Sequence, residues 1–281
     1  MGIVKPDGVI DVRRVAHKLG IAAPLILDEL LQQGRAAALQ QVIIGAAHSG
    51  VPMVRESEIQ YGRLFRHPGK IICVGLNYAA HAREIGVPPP SVPPLFNKYD
   101  NALAAHKSII KLPPRDVSYK FDYETELLIV IGKAARNISQ ETALDCVAGY
   151  CTAHDLSARD LQLELPSAQW MAGKTLDGFG PIGPYFVTSD LAGDPNAMVI
   201  ETKVNGEVRQ SSNTSDFIHN TQAMVSYISK LWTLEPGDII FTGTPQGVIL
   251  GKPKDKQVWL KAGDQISSRV GDLGELHVTL A

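Results

Sequence analysis

The chain has only three cysteines in 281 residues and no CxxC pair. That excludes a disulfide framework or a thiolate zinc site and fits a reducing compartment, so the expected location is cytoplasmic. Cys73 and Cys146 lie in apolar runs that suit buried thiols. No apolar run is long enough to span a bilayer, and the opening MGIVKPDGVIDVRR lacks the apolar core of a secretory leader. It begins Met-Gly, but Pro6 stands where myristoylation needs a hydroxyl residue. There is no basic excess, with 27 basic against 29 acidic residues and a formal net charge of -2. Nothing would neutralise a phosphate backbone, so neither nucleic acid nor membrane is an expected partner. GxGxxG and Walker loops, a repeating βαβ pattern, internal repeats and low-complexity tracts are all missing. What remains is an ordinary globular composition, 44% hydrophobic and 20% charged, sized for one large domain and a small appendage.

Residues 1–67 read as the appendage. Leu19, Leu25, Leu27, Leu30 and Leu31 recur near helical spacing over Val15 to Gln33, with Pro24 splitting the helix and Gly34 stopping it. The turn Arg66-His67-Pro68-Gly69 closes this unit, and residues 68–281 form the large one. There a strand is expected over Lys70 to Leu76. Asn77 is expected to cap a short helix, Ala79 to Ile85, that Gly86 ends. The run VPPPSVPP that follows can only be a rigid loop. Tyr123 to Gly132, Val147 to Ala153 and Ile239 to Thr242 read as buried strands. Ser139 should cap a short helix, and Asn205-Gly206 should turn a hairpin between Val199–Val204 and Glu207–Gln210. Phe217, Thr221, Met224, Ile228 and Leu231 share one face of a helix over Phe217 to Leu231. The fold class is thus α+β and strand-rich.

Glu124 and Glu126 are two apart in a strand pattern, so they share a face just before the apolar run Leu127 to Ile131. Adjacent carboxylates near a core need a cation or a proton, and a hard divalent ion prefers oxygen ligands. The bland alternative is a solvated strand end. Asp155, at the end of GYCTAH, either caps a helix or completes a three-carboxylate set with positions left for substrate. His81 and Glu84 are neighbours at helical spacing, either an exposed pair or an oriented general base. Lys174 stands between Trp170 and Phe179, either snorkelling at the surface or desolvated and poised to stabilise an oxyanion. His154 is expected to be structural or to support a ligand.

Five segments together resemble the fumarylacetoacetate hydrolase superfamily: VGLNYAAHAREIG (74–86), DYETELLIVIGKAAR (122–136), GYCTAHDLSARDLQ (149–162), WMAGKTLDGFGPIGP (170–184) and LEPGDIIFTGTPQGV (234–248). The resemblance implies a mixed β-sandwich roll with a small N-terminal domain, assembled as a homodimer. It implies Mg²⁺ or Mn²⁺ on Glu124, Glu126 and Asp155, with His81, Glu84 and Lys174 catalytic and Arg159, Gln162 and Thr244 lining the substrate site. The expected reaction is hydrolytic C–C cleavage of a β-diketo acid or acylpyruvate through a metal-bound enolate, with His81 deprotonating water. The alternatives are oxaloacetate-type decarboxylation, keto–enol isomerisation of an unsaturated dioate, or a binding protein that has lost activity. Two departures bear on substrate choice: His154 stands where relatives carry Asn, and Tyr99, Asp100 and Asn101 stand where they carry small hydroxyl residues.

Overall fold

Leu127–Ile131 is continuously apolar because it runs through the middle of a sheet covered on both faces. Leu127, Ile129 and Ile131 join one core cluster, and Leu128 and Val130 join another. The computed structural model describes residues Met1–Ala281. Its six-stranded sheet runs Val187–Thr188, Val147–His154, Thr125–Ile131, Ile239–Phe241, Ile71–Val74 and Leu95–Asn97. Only the fourth and fifth strands, Ile239–Phe241 and Ile71–Val74, pair parallel. A second, five-stranded sheet runs Glu207–Asn213, Val199–Val204, Gln265–Val270, Glu275–Leu280 and Ser108–Ile110. Its last pair is parallel.

The larger core cluster lies between these layers. It joins Leu127, Ile129 and Ile131 to Ile200 and Val270 of the second sheet and to Met224, Val225 and Ile228 of the helix Thr221–Leu231. Asn205 turns the hairpin in the left-handed region (φ 53°), as expected. The helix begins four residues later than its periodicity suggested, because Asn220 accepts the Ala223 N–H and sets the cap there. Leu231 is 46% exposed rather than on the buried face.

The N-terminal segment has a hairpin, Gly2–Lys5 and Gly8–Asp11, and helices Val12–Leu19, Leu27–Gln32 and Ala36–Gly45. The break between the first two falls around Pro24, as that residue requires. The third helix was not anticipated. A small core of Ile10, Val12, Val15, Ala16, Leu39 and Val42 is its own. Leu27 packs instead with Phe65 and Ile71 of the large unit's core, and buried Asp28 accepts the Arg66 and His67 N–H groups at 3.0 and 3.2 Å.

Two expected caps are not caps. The Asn77 side chain donates to Thr242 O (2.9 Å) and His219 O (3.1 Å), so it staples the chain before the helix Ala79–Glu84 to two distant segments. A short 3₁₀ helix does follow Ser139, but it is Ala143–Cys146 with Thr142 at its start, and the Ser139 hydroxyl meets that of Thr142 instead of capping it. No helix is long and apolar enough to cross a membrane.

Candidate active site and metal centre

Strand register builds the site. Thr125–Ile131 pairs antiparallel with Val147–His154, with Thr125 opposite His154 and Glu126 opposite Ala153. The next residues outward, Glu124 and Asp155, are therefore neighbours, and the Asp155 N–H donates to Glu124 O at 2.8 Å. Alternation puts the Glu126 side chain on the Glu124 face, opposite the small side chain of Ala153. Carboxylate oxygens of Glu124, Glu126 and Asp155 lie within 4.8 Å of one another, and all three residues are buried. The solvated-end and helix-cap alternatives fall with that observation.

Cations surround two of the three. Lys174, buried at the end of the helix Trp170–Lys174, places Nζ 2.5 Å from Glu124 Oε2 and 2.7 Å from Asp155 Oδ2. Arg159 places Nη2 2.6 Å from Glu124 Oε1 and donates through Nε to Asp122 Oδ2 at 2.8 Å. Lys98, buried just beyond the edge strand Leu95–Asn97, reaches Asp155 Oδ1 at 2.5 Å. Sequence reasoning passed over Lys98; its place directly after Phe96-Asn97, in a stretch already singled out for its departures, was the available signal.

The charges do not balance. Four buried carboxylates (Asp122, Glu124, Glu126, Asp155) face three cations (Lys98, Arg159, Lys174), and Glu126 has no ion-pair partner. Glu126 only accepts the Gly243 N–H, at 2.7 Å. Gly243 has φ 95°, and a Cβ there would lie 2.9 Å from that of Asn77, so the donor depends on glycine. Burial pushes the Glu126 carboxyl well above the usual carboxylate range, and the charges of Asp155 and Glu124 add to it. Burial also works against ionisation of Glu124, but Lys174 and Arg159 overcome it and hold its pKa at about 2. Lys174 is desolvated too, yet Asp155 and Glu124 raise its pKa and keep it charged.

These residues fit a divalent ion. Glu126 needs a cation, Asp155 Oδ1 has the Lys98 ammonium nearby but no hydrogen bond of good geometry, and all the donors are hard oxygens. A doubly charged ion would turn one excess negative charge into one excess positive charge, which suits an anionic substrate.

The remaining expected site residues are accounted for. Gln162 Oε1 accepts from Arg159 Nη1 at 2.9 Å. The Thr244 hydroxyl donates to Thr125 O (3.0 Å) and accepts from Gln210 Nε2 (2.9 Å). His81 Nδ1 and Glu84 Oε2 are 3.0 Å apart, with His81 buried. Neither is paired with the carboxylate cluster; Glu84 Oε1 accepts the Gly247 N–H at 2.9 Å, on the segment that follows Gly243. His154 Nε2 accepts the Glu124 N–H at 3.2 Å, which leaves Nδ1 protonated toward Ser268 Oγ at 2.9 Å. Burial lowers its pKa to about 3, so it is a neutral support for the Glu124 backbone.

The family profile described as fumarylacetoacetate (FAA) hydrolase C-terminal matches residues 70–281, a span that contains every side chain of the site. The chain belongs to the fumarylacetoacetate hydrolase family. Oxaloacetate tautomerase FAHD2A, mitochondrial, of Bos taurus is 41% identical over 268 residues, 95% of this chain and 82% of that protein. The fumarylacetoacetate hydrolase of Exiguobacterium antarcticum superposes with a TM-score of 0.79 at 32% identity, covering 99% of this chain and 94% of that one. Fumarylpyruvate hydrolase of Pseudomonas aeruginosa, solved with Mn²⁺ and pyruvate, gives a TM-score of 0.67 at 35% identity over 75% of this chain and 89% of that one. Fumarylacetoacetate hydrolase membership confirms the expected strand-rich α+β architecture and places the chain among hydrolases and isomerases.

Proposed function

We propose that this chain is a divalent-metal-dependent enzyme that interconverts keto and enol forms of a short 2-oxo diacid of the oxaloacetate type. The observation that carries this reading is the buried carboxylate trio with one uncompensated member, flanked by three cations. Such a site holds a chelating anion and stabilises negative charge on its oxo oxygen. Glu124, Glu126 and Asp155 would hold Mg²⁺ or Mn²⁺, which when bound supplies Lewis-acid polarisation of that oxygen. Lys174 stays protonated and adds positive charge at the same place. His81 supplies the proton relay. Glu84 accepts from Nδ1–H and fixes the tautomer, so Nε2 is free to take a proton from C3 and to return it. Tautomerisation then needs only that one proton leave carbon and one reach oxygen, with no water consumed.

The tautomerase name of the bovine relative, similar over 95% of this chain, favours isomerisation over the hydrolysis placed first from sequence. Hydrolysis of an acylpyruvate remains the second reading, favoured by the same dyad, which can equally deprotonate water, and by the likeness to fumarylpyruvate hydrolase. The test uses chelator-stripped protein reloaded with Mg²⁺ or Mn²⁺. Decay of the oxaloacetate enol absorbance is compared with pyruvate release from acylpyruvates and with CO₂ release from oxaloacetate. Tautomerisation should dominate, and His81→Ala should slow it by about 10²–10⁴-fold with metal affinity unchanged. Turnover indifferent to the chelator in all three assays refutes the metal-dependent reading.

A further inference from the structure

The tripeptide Asp122-Tyr123-Glu124 does more than supply one ligand. Asp122 is fully buried, and both its oxygens are taken. Oδ1 accepts the N–H groups of Ile249 (2.8 Å) and Tyr123 (2.9 Å). Oδ2 accepts the Leu250 N–H (3.0 Å) and Arg159 Nε (2.8 Å). Four donors fill the lone pairs of one carboxylate, so Asp122 has nothing to offer a metal or a substrate. Tyr123, also buried, donates its hydroxyl to Gly247 O at 2.9 Å. The segment Gly247–Gly251 is therefore gripped from inside by two consecutive residues, and the next residue along, Glu124, belongs to the carboxylate cluster.

The same segment carries the dyad. Glu84 Oε1 accepts the Gly247 N–H, and its other oxygen meets His81 Nδ1. Gly251 lies against the Glu84 carboxyl so closely that any Cβ there would collide with it. Glu84 thus rests in a backbone cradle whose position is set by Asp122 and Tyr123. A continuous path runs from His81 through Glu84, Gly247 and Tyr123 to Glu124, and a parallel one from Leu250 through Asp122 and Arg159 to Glu124.

We infer that Asp122 and Tyr123 are positioning residues that tie the His81–Glu84 dyad to the carboxylate cluster, so that proton relay and substrate anchor keep one fixed separation. This rests on the dyad reading given above. Tyr123→Phe is the mild test, since it deletes one hydroxyl and no volume to speak of; Gly251→Ala perturbs the cradle from its other side. Each should lower kcat for the metal-loaded enzyme about tenfold or more, with KM and metal Kd within about twofold of the parent, because substrate anchoring is untouched. In a His81→Ala background the same changes should lower the residual rate less than twofold, since the group they position is gone. A second readout needs no turnover: in metal-free protein at fixed pH, Tyr123→Phe should move the His81 ring-proton resonance and leave those of exposed His17 and His48 in place. Equal losses with and without His81, or an unmoved His81 resonance, overturn the positioning role while the functional reading stands. Wild-type turnover in His81→Ala overturns the dyad reading and this inference with it.

Discussion

Replacing Glu126 with Gln separates the folding cost of one carboxylate from its use. In metal-free protein this side chain is 2% exposed, accepts a single N–H, and faces two other carboxylates. Gln has nearly the same volume. Its carbonyl can accept the Gly243 N–H while its amide turns donors toward Asp155 and Glu124. Removing a carboxyl that the fold must either bury as an unpaired charge or hold protonated should relieve roughly 1–3 kcal/mol. At about 2–4 °C per kcal/mol for a chain of this size, metal-free Glu126→Gln should melt roughly 2–12 °C above the parent near neutral pH. Metal reverses the order. The parent gains about 2.7 kcal/mol at a metal concentration 100 times Kd, whereas an amide in place of a carboxylate weakens binding and shrinks the gain. The pH dependence has a definite sign. The parent's Glu126 pKa is raised above the ordinary 4.5, so from pH 4.5 upward the unfolded chain releases a proton that the folded chain keeps. The metal-free parent therefore loses this stability as pH rises, and the variant's advantage appears above pH 4.5 and vanishes below it. Thermal unfolding followed by circular dichroism, with chelator and then with excess Mg²⁺ or Mn²⁺, measures all three effects. A metal-free variant that melts below the parent at neutral pH, or equal metal-induced shifts in both proteins, refutes the reasoning.

Two more outcomes follow from groups outside the cluster. His106 is 6% exposed and held neutral by burial, with His277 and Lys107 adding to the effect, and its pKa is lowered to about 4. Because the unfolded ring charges near 6.5, stability should fall as pH drops from about 6.5 to 4, and His106→Gln should flatten that limb in urea midpoints taken at pH 7 and 4.5; an unchanged limb counts against it. Phe241, fully buried beside Cys73, Leu128 and Cys151, should cost about 3–5 kcal/mol when changed to Ala, measured by urea unfolding; a loss under 1 kcal/mol shows that the core collapses around the gap.

The site was legible in sequence where its logic is local. Two carboxylates at i and i+2 must share a face, and a five-residue apolar run must enter a core, so Glu124, Glu126 and the strand Thr125–Ile131 could be read directly. Asp155 could be proposed but not fixed, because its partnership with Glu124 depends on register across a pairing between distant segments. Lys98 and Asp122 were passed over as functional groups for the same reason: the side chains they pair with, Asp155 and Arg159, are distant in the chain. Asn77 and Ser139 show the converse error. Both have the chemistry of a helix cap, but tertiary partners claimed the first, and the short 3₁₀ helix after the second starts only at Ala143, with Thr142 before it. The helix Ala36–Gly45 escaped because Ala and Gln dominate its first half and only Leu39 and Val42 are buried, which leaves little amphipathic signal.

Pairing Thr125 with His154 has a consequence for how this chain can vary over time. Inserting or deleting one residue between Glu126 and Val130, or between Gly149 and Asp155, would rotate the acidic groups onto opposite faces and scatter the cluster. In the connection from Gly132 to Cys146, Ala135, Ala143 and Cys146 are held in the core, but the exposed tip at 139–142 carries no member of the cluster and no buried side chain, so it can lengthen or shorten without moving the carboxylates. Length differences among descendants of this sequence should therefore accumulate in that connection and be absent from the two strands it joins.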